Sequence, residues 1–428
     1  MVASLVLAAA VAVAAQASAP GSEAVEAQRA EVRRLVRRLD AAQLAQREAA
    51  EQALIALGPS ILDWLPASTA PASAEVQQRL GRVRRLLQLR QSESTAQPSR
   101  VSLSADALPL AQVLAEISRQ TGNAILDTRR PGGSAADPKI SLNLVQVPFW
   151  QALDQTLDLA GLDLYPYGRE RGLSIVARTS PESRRLGRAA YSGPFRIEPT
   201  SVDARRSLRN PASAALRLAL EVSWEPRIHP INIKQRLADL TAVDEQGRAL
   251  TRSGEAGELE ASIQPADTAK EFQLPMPLPA REVRQIASLK GRLTALLPGR
   301  EETFRFGNLE QAANVEQRVA GATVVLEGVR RSNELREVRI VVRFDRTAGA
   351  LESYRGWIFQ NDAHLESPQG KPLRPATLET TRQTETEMGL AYAFQVPGSL
   401  AGYTFVYRTP VSIVSAGFDY ELRGIALP

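Results

Sequence analysis

Three kinds of hydrophobic periodicity divide the chain. Up to Leu87, apolar residues recur three and four positions apart: Val32, Leu35, Val36 and Leu39; Leu44, Ala50, Leu54 and Leu57; then Val76, Leu80, Val83, Leu86 and Leu87. That spacing stacks them on one face of successive helices. Asp40 is expected to cap the second helix and Gly58-Pro59 to stop it, with Ile61, Leu62 and Leu65 in a short further stretch. Residues 91–100 are polar, contain Pro98 and read as a linker. From 99 to 178, strand-like and helix-like segments alternate. From 190 onward a period of two dominates, with Leu216, Leu218, Leu220 and Val222 on one face and Val338, Ile340 and Val342 doing the same later.

The middle segment is an internal quasi-repeat. "RVSLSADALPLAQVLAEISRQTGNAILD" predicts strand, helix and strand. Pro109 opens the helix, Leu110, Val113, Leu114 and Ile117 form its apolar stripe, and Gly122 ends it. "KISLNLVQVPFWQALDQTLDLAGLDLYPYG" repeats this with Pro148, the stripe Trp150, Leu153 and Leu157, and Gly161; proline to proline and glycine to glycine are both 39 residues. Leu173 to Ala177 supplies a last strand. These two halves together resemble the secretin and TonB short N-terminal (STN) domain. They depart from it in a Gly/Pro-rich insertion, Arg129 to Pro138. The resemblance implies a periplasmic protein–protein contact module without catalysis. Nearer the amino terminus, "LDAAQLAQREAAEQALIALGPSILDWL" resembles a single HEAT-type helical hairpin. One hairpin cannot stack into a solenoid, which takes about three repeats, so it is expected to pack on a neighbouring domain or a partner.

The β-rich remainder is duplicated. "LALEVSWEP" (218–226) aligns with "VRIVVRFDR" (338–346). Asp239, Gly247 and Leu250 align with Asp362, Gly370 and Leu373, and "FQLP" (272–275) with "FQVP" (394–397); "REETFRFGNLEQ" resembles "AGFDYELRGIALP". Several blocks in one order at a nearly constant offset predict two copies of one domain, each the size of an immunoglobulin-like sandwich.

The expected fold class is a multidomain α+β chain: a short helical segment, a small β-α-β repeat domain, then two tandem all-β (Ig-like) sandwiches. The expected bounds are a signal peptide at 1–19, the helical segment at 24–92, the STN-like domain at 99–178, and sandwiches at 190–310 and 311–428. Met1 to Ala19 reads as a secretory signal because an apolar run from Val2 to Ala15 precedes A-x-A sites, although no Lys or Arg comes before it. At that length the run is short for a membrane span, and periplasm or exterior is the expected location.

Composition narrows the chemistry. No cysteine excludes disulfides, thiolate metal sites and cysteine nucleophiles. There are two histidines, His229 and His364, and 47 arginines against five lysines. The 47 acidic residues are spread among the arginines without a long basic tract, so no nucleic-acid partner is expected. Arg33, Arg34, Arg37 and Arg38 form a basic helical face, echoed by Arg82, Arg84 and Arg85, which could meet an anionic lipid or wall polymer. Glu301-Glu302 would point to opposite faces. Glu385 and Glu387 would share one face, a conceivable hard-cation site. Asp154, Asp158 and Asp163 surround the second helix of the middle domain. Gly132-Gly133-Ser134 lacks the rest of a phosphate loop.

These readings add up to a non-enzymatic, secreted or periplasmic envelope adaptor with no cofactor or metal. Its partner classes are an envelope protein and a cell-wall polymer. Leu110, Leu114, Trp150 and Leu153 are the candidate interaction residues, a role that competes with a place in the core. The alternatives are a glycan- or peptide-binding signalling module built on the sandwiches, and a carboxylate-dependent hydrolase. The last requires Asp/Glu pairs to converge in a deep pocket with raised pKa values.

Overall fold

A computed structural model describes residues 20–66, 73–129, 137–168, 172–180, 184–210, 214–250, 256–264, 266–319, 321–332, 335–345, 351 and 356–428. The expected signal peptide and the Gly132-Gly133-Ser134 cluster lie outside them. The chain forms two compact units, one ending at Leu87 and one spanning Gln88–Pro428. It is mixed helix and antiparallel sheet, with strands predominating.

In the first unit, α1 (Pro20–Arg38), α2 (Leu44–Ala56), a 3₁₀ turn (Pro59–Trp64) and the start of α3 (Ala74–Thr95) enclose Val32, Leu35, Leu39, Leu54, Ile61, Val83 and Leu87. Glu51 lies under this helix packing and is bound by Arg79 (2.7 Å) and Arg82 (2.8 Å). Gly58, at φ 82°, ends α2 as expected. Asp40 does not cap it: the residue before α2 is Gln43, and Asp40 accepts a hydrogen bond from Ser73 Oγ instead. Three residues separate Asp40 from the first helical turn, too far for its side chain to reach the orphan amides. α3 continues to Thr95, through part of the expected linker.

The second unit opens with the small α/β module: β1 (Arg100–Pro109), α4 (Leu110–Thr121), β2 (Ile125–Asp127), β3 (Lys139–Pro148), α5 (Phe149–Ala160), β4 (Leu162–Tyr165) and β5 (Leu173–Ala177). β1 and β3 form an antiparallel ribbon, while β2, β5 and β4 form a second, three-stranded sheet. The 39-residue repeat is present in the backbone. β1 and β3 have the same burial pattern. Ala107 and Gln146 both take positive φ, 49° and 53°. The amide of Ala107 bonds to Ser141 Oγ and that of Gln146 to Ser102 Oγ. Gly122 and Gly161 close α4 and α5 in the left-handed region, where a residue without Cβ is not strained.

The duplicated region follows as β6 (Ala190–Ser192), β7 (Phe195–Arg205), β8 (Ala215–Trp224), β9 (Asn232–Arg236), β10 (Thr241–Asp244), β11 (Glu258–Ser262), β12 (Ala269–Met276), β13 (Gln285–Pro298) and β14 (Glu301–Phe306). The second copy is β15 (Val315–Val319), β16 (Ala322–Ser332), β17 (Leu335–Phe344), β18 (Ala363–Glu366), β19 (Pro372–Leu373), β20 (Thr377–Gln383), β21 (Glu387–Gln395), β22 (Thr404–Pro410) and β23 (Ile413–Ala426). Equivalent strands pair equivalently: β8 lies between β7 and β12, and β17 between β16 and β21. The aligned turns agree bond for bond. Gly247 and Gly370 (φ 79° and 77°) donate to Asp244 and Ser367, whose own amides donate to Arg248 and Lys371.

The copies do not close separately. β14 pairs with β22, and β23 pairs with β13, so each copy receives the other's last strand. The ladder runs unshifted from Gln285–Ala426 through Pro298–Ile413 and Glu301–Pro410 to Phe306–Phe405. Gly299 N bonds to Ser412 O, and Val411 N to Arg300 O, across the junction. The cores follow the exchange. Phe418, Tyr420 and Leu422 of β23 pack with Leu220, Val222, Leu289 and Leu293, whereas Phe304 and Phe306 of β14 pack with Ile340, Leu390, Phe405 and Tyr407. The expected division into 190–310 and 311–428 is corrected accordingly. The two hydrophobic clusters each draw strands from both sides of residue 310.

Candidate functional site

The four candidate interaction residues belong to the core. Leu110, Leu114, Trp150 and Leu153 are all buried among Val113, Ile117, Leu144, Phe149 and Leu157. Helical spacing put them on two equivalent stripes, one on α4 and one on α5, and both stripes pack into the module's core. Trp150 has one outward role, since its indole N–H donates to Pro194 O (3.0 Å) just before β7. It is a peg between the α/β module and the duplicated region.

Two buried carboxylates continue that joint. Asp154, on α5, has no exposed surface. Its Oδ1 accepts from Arg185 Nε (2.7 Å), and its Oδ2 from Arg196 Nε and Tyr191 Oη (2.7 Å each). Arg185 also pairs with Asp163, and its amide donates to Asp158 (2.8 Å). Arg178 pairs with Asp158, and Arg196 with Glu198. Burial alone pushes the Asp154 carboxyl up, but the guanidiniums of Arg196 and Arg185 and the Tyr191 hydroxyl outweigh it and hold the group below its ordinary value. Burial likewise works against the Arg196 charge, and Asp154 and Glu198 overcome it, so that guanidinium is held more firmly protonated than usual. Tyr191 is shifted upward by burial and then by the Asp154 charge.

The second carboxylate, Glu225, follows β8 and is also fully buried. It accepts from Ser99 N (2.9 Å), Ser99 Oγ (2.6 Å), Asn123 Nδ2 (3.2 Å) and Arg227. Asn123 Oδ1 in turn accepts from Arg227 N (2.9 Å). Thr268 Oγ1 donates to Pro166 O (2.6 Å). The α/β module is thus fixed to the duplicated region by interactions from both its halves. The sequence showed Asp154, Asp158 and Asp163 as a group. It gave no sign that Arg178 and Arg185 are their partners.

These carboxylates do not form the acid–base pair that a hydrolase of the expected kind needs. They are each engaged by arginine, and the Asp154 shift is downward rather than upward. The other candidates are placed as follows. Glu387 pairs with Arg343 (2.6 Å), Glu301 with Arg408 (3.2 Å) and Glu302 with Arg300 (3.0 Å), while Glu385 is exposed before β21. His364 Nδ1 faces Asp362 at 3.5 Å on β18, and His229 lies in the β8–β9 connection. The two histidines are not brought together. Among the described residues no cluster of potential metal ligands occurs, and no described helix is long and apolar enough to cross a membrane.

Among the described residues no further strand pairs with the β1–β3 ribbon, and its two halves treat their outer edges differently. On β1, Gln120 of α4 acts as a substitute strand. Its Oε1 accepts from Ser102 N and its Nε2 donates to Ser102 O (both 2.9 Å). Glu116 steadies the same amide at 2.7 Å. The repeat puts Leu159 where Gln120 stands and Ser141 where Ser102 stands. A leucine cannot make those bonds. Leu159 is 59% exposed, and Val145 of β3 is 73% exposed. The β1 edge is blocked, and the β3 edge is flanked by exposed apolar side chains. Leu110, Leu114, Trp150 and Leu153 missed this site because they mark the inward stripe. Comparing the halves at the 39-residue offset, Gln against Leu, is the signal that finds it.

Compared with known proteins, the chain matches no family model, no curated protein and no solved structure.

Proposed function

We propose that the chain is a non-enzymatic adaptor of the cell envelope, in which an STN-like module, mounted on two immunoglobulin-like β bodies, takes up an extended segment of an envelope protein along the β3 edge. The observation that carries this reading is the asymmetry between Gln120 and Leu159. An unpaired strand edge is a template for adding another strand. One half blocks it with an amide side chain, and the other borders it with Leu159 and Val145. Main-chain pairing would supply affinity and the apolar flank would supply side-chain selectivity. The anchoring through Trp150, Asp154 and Glu225 supports the reading too, because a rigid mount reduces the ordering cost of binding. Location in the periplasm or exterior is part of the proposal. The glycan- or peptide-binding alternative would use the β bodies instead.

The test is affinity capture from envelope extract with the full chain as bait, followed by binding measurements on the protein it retains. Leu159→Gln together with Val145→Lys should weaken that binding at least tenfold, whereas Gln120→Leu should leave it equal or stronger. Retention undiminished in the Leu159/Val145 variant would remove the β3 edge from the proposal.

A further inference from the structure

A different surface lies at the far end of the β7–β8 hairpin. Arg205, Arg206, Arg209, Arg281 and Arg284 are exposed, and among the described residues none of them is ion-paired. Arg206 and Arg284 are nevertheless held in place, Arg206 by a bond from its guanidinium to Pro279 O (3.0 Å) and Arg284 by one from its amide to Glu245 (3.0 Å). Arg206, Arg281 and Arg284 line one open recess of roughly 450 Å³ with Leu278, Pro279 and Leu427. Of the nearby acids, Glu282 faces Arg248 at 3.7 Å, Glu245 accepts from the Arg284 amide, and Asp203 is in register with Arg217 across the hairpin. At the tip itself, between Arg206 and Arg209, stands Leu208, which is 98% exposed.

An apolar side chain presented to water, with the exposed Arg206 and Arg209 close to it in sequence, is poorly placed for a soluble surface and well placed for a bilayer interface. There the arginines meet lipid phosphates and the leucine enters the acyl boundary. We infer that the Arg205–Arg209 hairpin tip and the adjoining Arg281/Arg284 recess dock the protein peripherally on anionic phospholipid. The chemistry recognised is the phosphate group, and the exposed Leu208 selects a lipid source over a free phosphate. This inference stands apart from the β3 edge and uses none of its residues. The five arginines fall in two short groups, Arg205, Arg206 and Arg209, then Arg281 and Arg284, which the fold brings together at one recess.

Flotation of the full chain with vesicles tests it. Vesicles of phosphatidylcholine with about a third phosphatidylglycerol should bind the protein, and vesicles of phosphatidylcholine alone should not. Each neutralised arginine near the surface should cost roughly fivefold in partitioning, so Arg206→Gln/Arg281→Gln/Arg284→Gln should lower it about a hundredfold. Leu208→Ser should lower it roughly tenfold with the charge intact. All of these residues are exposed, so unfolding midpoints should stay at the wild-type value, which separates lost docking from lost folding. Three results would overturn the inference. One is partitioning unchanged in the triple variant. Another is loss of binding on neutralising Arg33, Arg34, Arg37 and Arg38 of α1 instead. The third is displacement by millimolar inorganic phosphate at constant ionic strength.

Discussion

Asp154→Asn isolates what the buried joint contributes. The substitution keeps the shape of the side chain and removes its charge. In the native protein both oxygens of Asp154 accept, one from Arg185 and the other from Arg196 and Tyr191. An asparagine presents one acceptor and one donor, so an N–H₂ group must face at least one N–H or O–H donor. Removing one partner of a buried pair costs about 3–5 kcal/mol, because the remaining charge stays desolvated. Arg185 retains Asp163 and Arg196 retains Glu198, which places the expected loss at the lower end, about 3 kcal/mol at pH 7. The pH dependence carries the sign. The folded-state pKa of Asp154 lies below its ordinary value. Its contribution is therefore complete above about pH 4 and is lost as pH falls toward the folded value. The gap between wild type and variant should narrow on acidification. Urea unfolding of the full chain, followed by tryptophan fluorescence, measures it, with Trp150→Phe used to assign the transition that reports on the joint. The companion variant Asp154→Leu/Arg196→Met removes the charges together and should recover most of the loss. A cost below about 1 kcal/mol at neutral pH, or a gap that widens in acid, would refute the reasoning.

Two further predictions probe the repeats. Ala107→Gly, at φ 49°, should stabilise the protein by about 0.5–1 kcal/mol, since relief of left-handed strain exceeds the added chain entropy, whereas Gly122→Ala at φ 70° should destabilise it by about 1 kcal/mol; thermal melts of the two variants decide. Gly291→Ala should cost about 1–3 kcal/mol, because the new Cβ would lie 2.5 Å from Tyr420 Cζ and 2.9 Å from Leu240 Cδ2 while Tyr420 is held by Gln235. In a Tyr420→Ala background most of that cost should vanish, and a strictly additive double mutant would contradict the contact.

Much of this architecture was legible where the signal is local. The prolines and glycines spaced by 39 residues mark the ends of α4 and α5, and the aligned Gly247 and Gly370 mark matching turns, because the backbone itself requires those residue types there. The alternation in β8 and β17 identified the inward faces correctly. What could not be read depends on partners distant in sequence. Pro298-Gly299 reads as readily as a reversal as a continuation; the choice is made by Gly299 N finding Ser412 O. Asp154 reads as one of three helix carboxylates, and only the folded chain assigns it Arg185 and Arg196. The amphipathic stripe marked Trp150 as core or contact, and it serves the core while its N–H reaches Pro194.

The exchange of β14 and β23 changes what the duplication means. Two copies of a domain in tandem would ordinarily fold as neighbours, each closed on itself. Here the ribbon of β13 with β14 and β22 with β23 passes through both bodies without a register shift. The first body's core contains Phe418, Tyr420 and Leu422, and the second body's contains Phe304 and Phe306. A cut between the copies would remove a core strand from each and expose the edges of β13 and β22, which are otherwise covered. The same sequence separation, from β6 to β23, must be closed before the first core is complete, which makes this a topology dominated by distant contacts. In return, the α/β module that Trp150 and Asp154 fix to the first body is tied through a continuous strand pair to the second. A load applied to the β3 edge is therefore borne by both β bodies rather than by a flexible hinge between them.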